Sequence, residues 1–412
     1  MIRSSALYIS LIISILIVLV CGSMLMIGYT YKLQERKQMR AITLNQNLSS
    51  ATLILLTKGF GGDTVKRFSL FGNGRDSVSL EKKTWGLYEL GLVKSWIGAD
   101  TLSDSFLIGT PLMDTLKVLY LADEDRPMSI SGKSLIKGTA YLPKSGIKAA
   151  YVESSGYDDK KLVYGAIRDS GRELPEPDAA LLKHIQDLIA DEAEVSDPLP
   201  DAMENSFFHP VKRLHLKGYD GFLSRFKARG NVIVSSDSLL VIDAHCRLDR
   251  VILVAPYVRI EDNFRGNLQV IATDSISIGN DVQLDYPSAL MVLKNDSAGF
   301  QPKIRIGERT TVEGQLFAWE KTSSLLMPLI QIGSASVVKG EVWSKGYIAL
   351  SKTARVNGSV SAIRLMARVS SAIYENYLID VKLDKTLLPK YYLSTKLLNA
   401  SAGKGRVLCR VN

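Results

Sequence analysis

The sequence predicts a mainly β protein: an N-terminal transmembrane α-helix with a helical stalk, then a β domain and an interrupted parallel β-helix with 18-residue coils. Three observations carry this prediction. Residues 6–31 form a charge-free apolar run, apolar residues between 230 and 367 recur at every sixth position, and no second stretch is long and apolar enough to cross a bilayer. The 412-residue chain is 46% hydrophobic, too apolar for a disordered polymer, and its 51 Lys+Arg against 42 Asp+Glu give a formal charge of +9. Cys21, Cys246 and Cys409 lie far apart, which excludes a disulfide framework and a clustered thiolate metal site.

The transmembrane segment is placed at 1–31. From Ala6 to Tyr31 the chain reads ALYISLIISILIVLVCGSMLMIGYTY, and about 20 apolar residues at about 1.5 Å rise span the ~30 Å hydrocarbon core. Tyr8, Tyr29 and Tyr31 stand near its ends, where amphipathic rings favour the headgroup layer. The run is longer than the core of a cleaved signal peptide, and no small-x-small site follows it. Lys32, Arg36, Lys37 and Arg40 then outweigh Glu35, and the positive-inside rule applied to them favours a cytoplasmic body. Residues 32–58 continue as a helical stalk, with Leu33, Met39, Ile42, Leu48 and Leu53 among polar residues and no Pro or Gly before Gly59. This opening resembles type IV pilins and pseudopilins, a resemblance that implies an envelope-assembly component with an extracytoplasmic body. The sequence departs from that pattern in lacking the Gly-Phe-Thr-Leu-Ile-Glu processing motif and a Glu early in the helix.

Between 230 and 367, Ile242, Ile260, Ile278, Ile306, Ile332 and Leu350 serve as anchors, spaced 18, 18, 28, 26 and 18 residues apart. Apolar residues follow at sixes: Leu248 and Val254 after Ile242, Leu284 and Leu290 after Ile278, Val312 after Ile306, Val338 after Ile332 and Val356 after Leu350. Gly314, Gly340 and Gly358 stand eight residues past their anchors. Three short strands per coil, each sending one apolar side chain inward with small residues at the corners, produce this period. The two longer spacings place projecting loops near Asn295–Gln301 and Thr322–Met327.

The same frame recurs at 128–152, where Ile130, Ile136, Gly138, Ala140 and Leu142 match Ile332, Val338, Gly340, Val342 and Ser344; this predicts a first coil, separated from the rest by an insertion at 153–229. The insertion carries an amphipathic helix (Leu181, Leu182, Ile185, Leu188, Ile189), and Glu173–Glu204 holds ten acidic residues and one Lys. Residues 59–127, where Trp85 and Leu87 alternate with Tyr88 and Leu90, predict a small β domain or a cap on the coil stack. Residues 368–412 form a basic tail or cap, with seven Lys/Arg and one Asp from Val381 onward and Tyr391 and Tyr392 packed down. Attraction between tail and insertion, within or between molecules, predicts salt-sensitive self-association.

The run VVKGEVWSKGYIALSKTARVNGSVSA resembles the bactofilins, polymer-forming β-helix scaffolds. ISIGND, IRIGERT and IQIGSAS resemble the hexapeptide acyltransferases, a family that implies a His general base. His245, beside Cys246, is the one His within the repeats. It lacks a polar partner at coil spacing and is expected to face solvent. His209 and His215 flank a strand-like PVKRL without the additional ligands a metal site needs, and His184 belongs to the amphipathic helix. No catalytic, cofactor-binding or metal residues are expected, and no cofactor. The tail lacks the clustered basic runs of a nucleic-acid module.

The functional expectation is a non-enzymatic, single-pass structural component of a bacterial cell envelope. Its partners are membrane lipid through residues 6–31 and either further copies of itself or envelope-assembly proteins. The alternatives are a membrane-tethered, bactofilin-like cytoplasmic scaffold and a hexapeptide-repeat acyltransferase.

Overall fold

The computed structural model describes residues 4–57, 60, 65–72, 74, 76–112, 116–191, 200–216, 221–294, 299–322, 324–369, 372–398 and 404–411. The chain is mostly β and divides into two compact units, residues 1–82 with 91–104, and residues 83–90 with 105–412. Strands Asp76–Trp85, Tyr88–Ile97 and Asp100–Pro111 contribute residues to both.

In the first unit one unbroken helix, Ser4–Leu55, contains a stretch long and apolar enough to cross a membrane. Of the expected stalk face, Leu33, Met39, Ile42 and Leu53 are exposed and Leu48 alone is buried. The buried stripe is Leu44, Leu48, Ala51 and Leu55, the i, i+4, i+7, i+11 set that one helical face presents. Asn47 lies buried beside that stripe and donates from Nδ2 to Asp76 Oδ2 at 2.7 Å, while Ser69 Oγ donates to Asp76 Oδ1 at 2.9 Å. Those bonds tie the helix end to strand Asp76–Trp85, which pairs antiparallel with Lys66–Phe68. Arg40 and Asp100 add an ion pair at 2.9 Å.

The second unit is built on a barrel-like sheet of mainly parallel strands. The residues singled out by spacing are Cα partners across it: Ile242 with Ile260, Ile260 with Ile278, Ile278 with Ile306, Ile306 with Ile332 and Ile332 with Leu350. A second column runs Leu284, Val312, Val338, Val356, and a third runs Val234, Leu253, Val270, Leu290, Leu316, Val342, Val360. All are buried in one continuous core, so sequence spacing becomes lateral stacking of like on like.

Val254 is the exception among the sixes. Arg250 takes a left-handed conformation (φ 55°) and the pairing shifts between Asp249 and Val251. The extra residue turns Val254 outward and gives the core position to Leu253.

Between strands, Arg225, Asn263, Asp281, Arg309, Ala335, Thr353 and Asp380 have φ between 53° and 68°. Each is followed by a buried side chain: Phe226, Phe264, Val282, Thr310, Ser336, Ala354 and Val381. Cys246 holds the corresponding place between Phe226 and Phe264. Its Sγ donates to the Leu223 carbonyl at 3.1 Å, as Thr310 Oγ1 does to Gly279 (2.8 Å) and Ser336 Oγ to Gly307 (2.6 Å). Burial pushes the Cys246 thiol pKa up, which makes it an inert packing group. Gly314, Gly340 and Gly358 also stack as Cα partners. A Cβ on Gly314 would meet the Ser288 carbonyl oxygen at 1.7 Å, and one on Gly340 the Gly314 oxygen at 1.8 Å, so these strands approach as only glycine permits.

The order of stacking departs from chain order. Strand Arg355–Arg368 pairs on its far side with Lys117–Leu121 (Val360 with Leu119) and with Lys382–Asp384 (Val356 with Leu383). Ile136 lies next to Leu383 and Ala140 next to Leu119, followed by Ile167–Asp169. Ile136 and Ala140 therefore join the second and third columns beyond the C-terminal strands instead of ahead of residue 230, while Met128–Ser131 and Ile147–Ala149 belong to a separate three-stranded sheet with Tyr377–Ile379. The insertion is also narrower than 153–229, because Ala202–Asn205 and Lys212–Leu216 pair in parallel with Lys227–Ser236. Lys212 stands opposite Val232, a spacing of twenty, which hides this pairing from a search at eighteen.

The hairpin tip 83–90 rests on a face of the sheet. Leu87 N donates to Gln269 Oε1 at 2.7 Å, Gln269 Nε2 donates to the Trp85 carbonyl at 3.3 Å, and Trp85 meets Phe207 edge-on at 5.1 Å. Trp85, Leu87, Tyr88 and Leu90 are all buried, so the expected half-buried alternation fails there because the tip is covered on both sides. The tail also runs across the sheet: Leu393–Ser394 and Arg406–Arg410 pair antiparallel with Asp100–Pro111. Tyr392 packs 5.4 Å from Tyr286 and Tyr391 is exposed. Ser394 joins a buried network with Gln315 and Glu341.

Candidate functional site

The short helix Ala179–Ala190 is capped by Asp178, whose Oδ1 accepts from Leu181 N at 2.8 Å, and buries Leu181, Leu182, Ile185 and Leu188. Its C-terminal end, with Asp191, roofs a cavity of about 350 Å³ against strands Lys212–Leu216, Lys227–Ser236 and Arg247–Ile260.

His215 is the chemical centre of this cavity. Parallel pairing sets it directly beside Ser235, and its Nδ1 lies 3.0 Å from Ser235 Oγ. Its Nε2 lies 3.1 Å from Asp237 Oδ1. Arg213, on the same outward face two residues earlier, pairs with Asp191 at 2.5 Å and ties the helix end to the sheet.

The line Ser235, His215, Asp237 can relay a proton or hold the imidazole in one orientation. Acyl transfer would further require donors aimed at a developing oxyanion. The cationic donor lining this cavity, Arg213, is engaged by Asp191. The arrangement is accounted for as a polar ladder beneath the helix roof.

The other histidines stand apart from this cluster. His245 is exposed in a turn and makes no hydrogen bond or ion pair among the described residues. His209 is engaged through its backbone, its carbonyl accepting from Asn231 Nδ2 at 3.0 Å. His184 is half-buried on the short helix. Among the described residues no three His, Cys, Asp or Glu side chains gather as a metal site. Sequence reasoning named His215 only as the partner of His209. Ser235 and Asp237 escaped it because they arrive from the neighbouring strand through the twenty-residue spacing.

A second buried cluster holds the bases of the two segments responsible for the long spacings. Lys294 Nζ lies 3.5 Å from Glu320 Oε2 and donates to Ser324 Oγ at 2.7 Å, and Ser324 Oγ and N donate to the same carboxylate at 2.8 and 3.1 Å. Both charged side chains are almost fully buried, so each supplies the other's compensation. Residues 295–298 and 323, within the predicted loops, lie outside the described residues.

No protein-family model matches the chain, and neither a curated protein nor a solved structure does.

Proposed function

We propose that the chain is a non-enzymatic, single-pass membrane protein that carries a β-helix body as a structural component of a bacterial cell envelope, pilin-like or secretion-associated. The observation that supports this most is the in-register anchor column from Ile242 to Leu350, in a chain whose first helix has the length and apolarity of a membrane span. On this reading the parallel strands are coils of 18 residues, and the two longer spacings are coils with inserted loops. Side chains buried in register give rigidity without requiring a ligand, which suits a spacer or scaffold. Further copies of the chain or envelope-assembly proteins are its partners, and residues 6–31 hold it in lipid.

Topology tests the proposal. An alkaline-phosphatase fusion after Asn412 is expected to be active, and a cytoplasmic reporter at the same place silent. The reverse pattern would favour the second reading, a membrane-tethered scaffold resembling the bactofilins. That reading draws its support from Lys32, Arg36, Lys37 and Arg40 just after the apolar run.

A further inference from the structure

Three cations start three neighbouring strands of the parallel sheet. Lys227 is the Cα partner of Arg247, and the pairing of Asp249 with Asn267 places Arg265 at the matching start of the next strand. All three side chains are exposed, and among the described residues none has an ion pair. They line one cleft of about 380 Å³ together with Arg229, Glu204 and Asp249, and Met203, Ala228 and Leu248 supply apolar lining.

Neighbouring strands lie about 4.8 Å apart, and like charges directly opposite one another destabilise a sheet. The sheet avoids that cost two residues further along the same strands. There Glu204, Arg229 and Asp249 alternate in sign, with Arg229 3.8 Å from Glu204 and 3.4 Å from Asp249. The column Lys227, Arg247, Arg265 has no such alternation, and it continues into Gln283, the partner of Arg265, and Thr311. Glu204 and Asp249 line the same cleft but pair with Arg229, so among the described residues the three column cations are without an ion pair and an anion can complete them.

We propose that this cleft binds an acidic polysaccharide of the polyuronate class, laid across the strands with carboxylates of alternate residues on Lys227 and Arg265 and with Arg247 between them. In an extended two-fold uronate chain each residue advances by about one strand spacing and faces the opposite side from the last, so carboxylates two residues apart meet Lys227 and Arg265 from one side, with Arg247 between them. Arg presents a fork that matches a carboxylate bidentately. Among the described residues, base-stacking aromatics of the kind that bind single-stranded nucleic acid do not line the cleft. The site belongs to the body of the protein and stands whichever side of the membrane that body occupies.

The test is binding of a fluorescent oligogalacturonate to the full-length chain in zwitterionic detergent. Wild type is expected to bind, and more weakly as NaCl rises. Each lost charge-assisted contact is worth about tenfold in affinity. Arg247→Gln alone should therefore weaken binding about tenfold. The triple variant Lys227→Gln, Arg247→Gln, Arg265→Gln should abolish it with no fall in melting temperature, since repulsion is removed. Lys339→Gln, at a cation already paired with Glu313 at 2.7 Å, should bind as wild type does. Failure of wild type to bind at low salt would overturn the proposal, as would full binding by the triple variant. Equal binding of the methyl-esterified oligomer, or tighter binding of polyphosphate or single-stranded DNA, would overturn it too.

Discussion

At the scale of single residues, two positions carry more of the fold than their size suggests. Gly314 sits where a Cβ would overlap the Ser288 carbonyl oxygen, with φ at 148°, a conformation L side chains rarely adopt. Gly314→Ala is expected to cost at least about 1–3 kcal/mol, seen as a lowered melting temperature by circular dichroism. Lys294 neutralises Glu320 in a nearly dry site. Lys294→Met should cost about 3–5 kcal/mol in denaturant unfolding, because a carboxylate is left buried without its counter-charge. Changing Glu320→Leu in the same chain should recover most of that loss. If the double variant is no more stable than the single one, the pair is not what holds these segment bases together. Neither role was legible beforehand in full. The eight-residue offset of Gly314 flagged it as a corner, but the close approach to Ser288 belongs to a different strand, and Lys294 and Glu320 lie in segments where the six-residue pattern lapses.

At the scale of elements, periodicity revealed which side chains face inward and stayed silent on what lies outside. The helical face Leu181, Leu182, Ile185, Leu188 was legible because a 3.6-residue period needs no knowledge of its neighbour. The cavity beneath the helix was not, since Ser235 and Asp237 reach His215 only through lateral pairing. Val254 shows the converse limit: the six-residue rule fails where Arg250 adds a residue, and no apolar pattern records that bulge. The short helix should be sensitive to its cap. Asp178→Ala is expected to remove about 1 kcal/mol and to raise amide hydrogen exchange across 181–188, with exchange in strand Val337–Leu350 unchanged. Asp178 N also donates to the Leu397 carbonyl at 2.8 Å, so the segment that carries the acidic helix and the C-terminal segment meet through the backbone.

At the scale of the whole molecule, the frame of Ile136 and Ala140 was readable and their place was not. A repeat frame specifies the column a segment joins, and every column is open at both ends. Ile136 and Ala140 match Val338 and Val342 equally well from either side. The choice is made by Lys117–Leu121 and Lys382–Asp384, which stand side by side between strand Arg355–Arg368 and the 135–142 segment. Ending the chain after Ala367 should therefore loosen residues upstream by more than two hundred positions in sequence. Hydrogen exchange at 117–121 and 135–142 is expected to rise sharply in that truncation, and that at 265–278 to stay protected. Protection retained at 135–142 would show that Lys382–Asp384 is dispensable there.

This arrangement also sets a timetable. Residues 117–142 leave the ribosome well before the strands they must join, Arg355–Arg368 and Lys382–Asp384, more than two hundred residues further along the chain. Contacts this distant in sequence are slow to form, because a long loop must close before they repay it. Lys117–Leu121 can pair with Thr139–Leu142 at once, but its other edge and Ile136 must stay open while the intervening residues are made, a period in which an apolar edge invites wrong contacts.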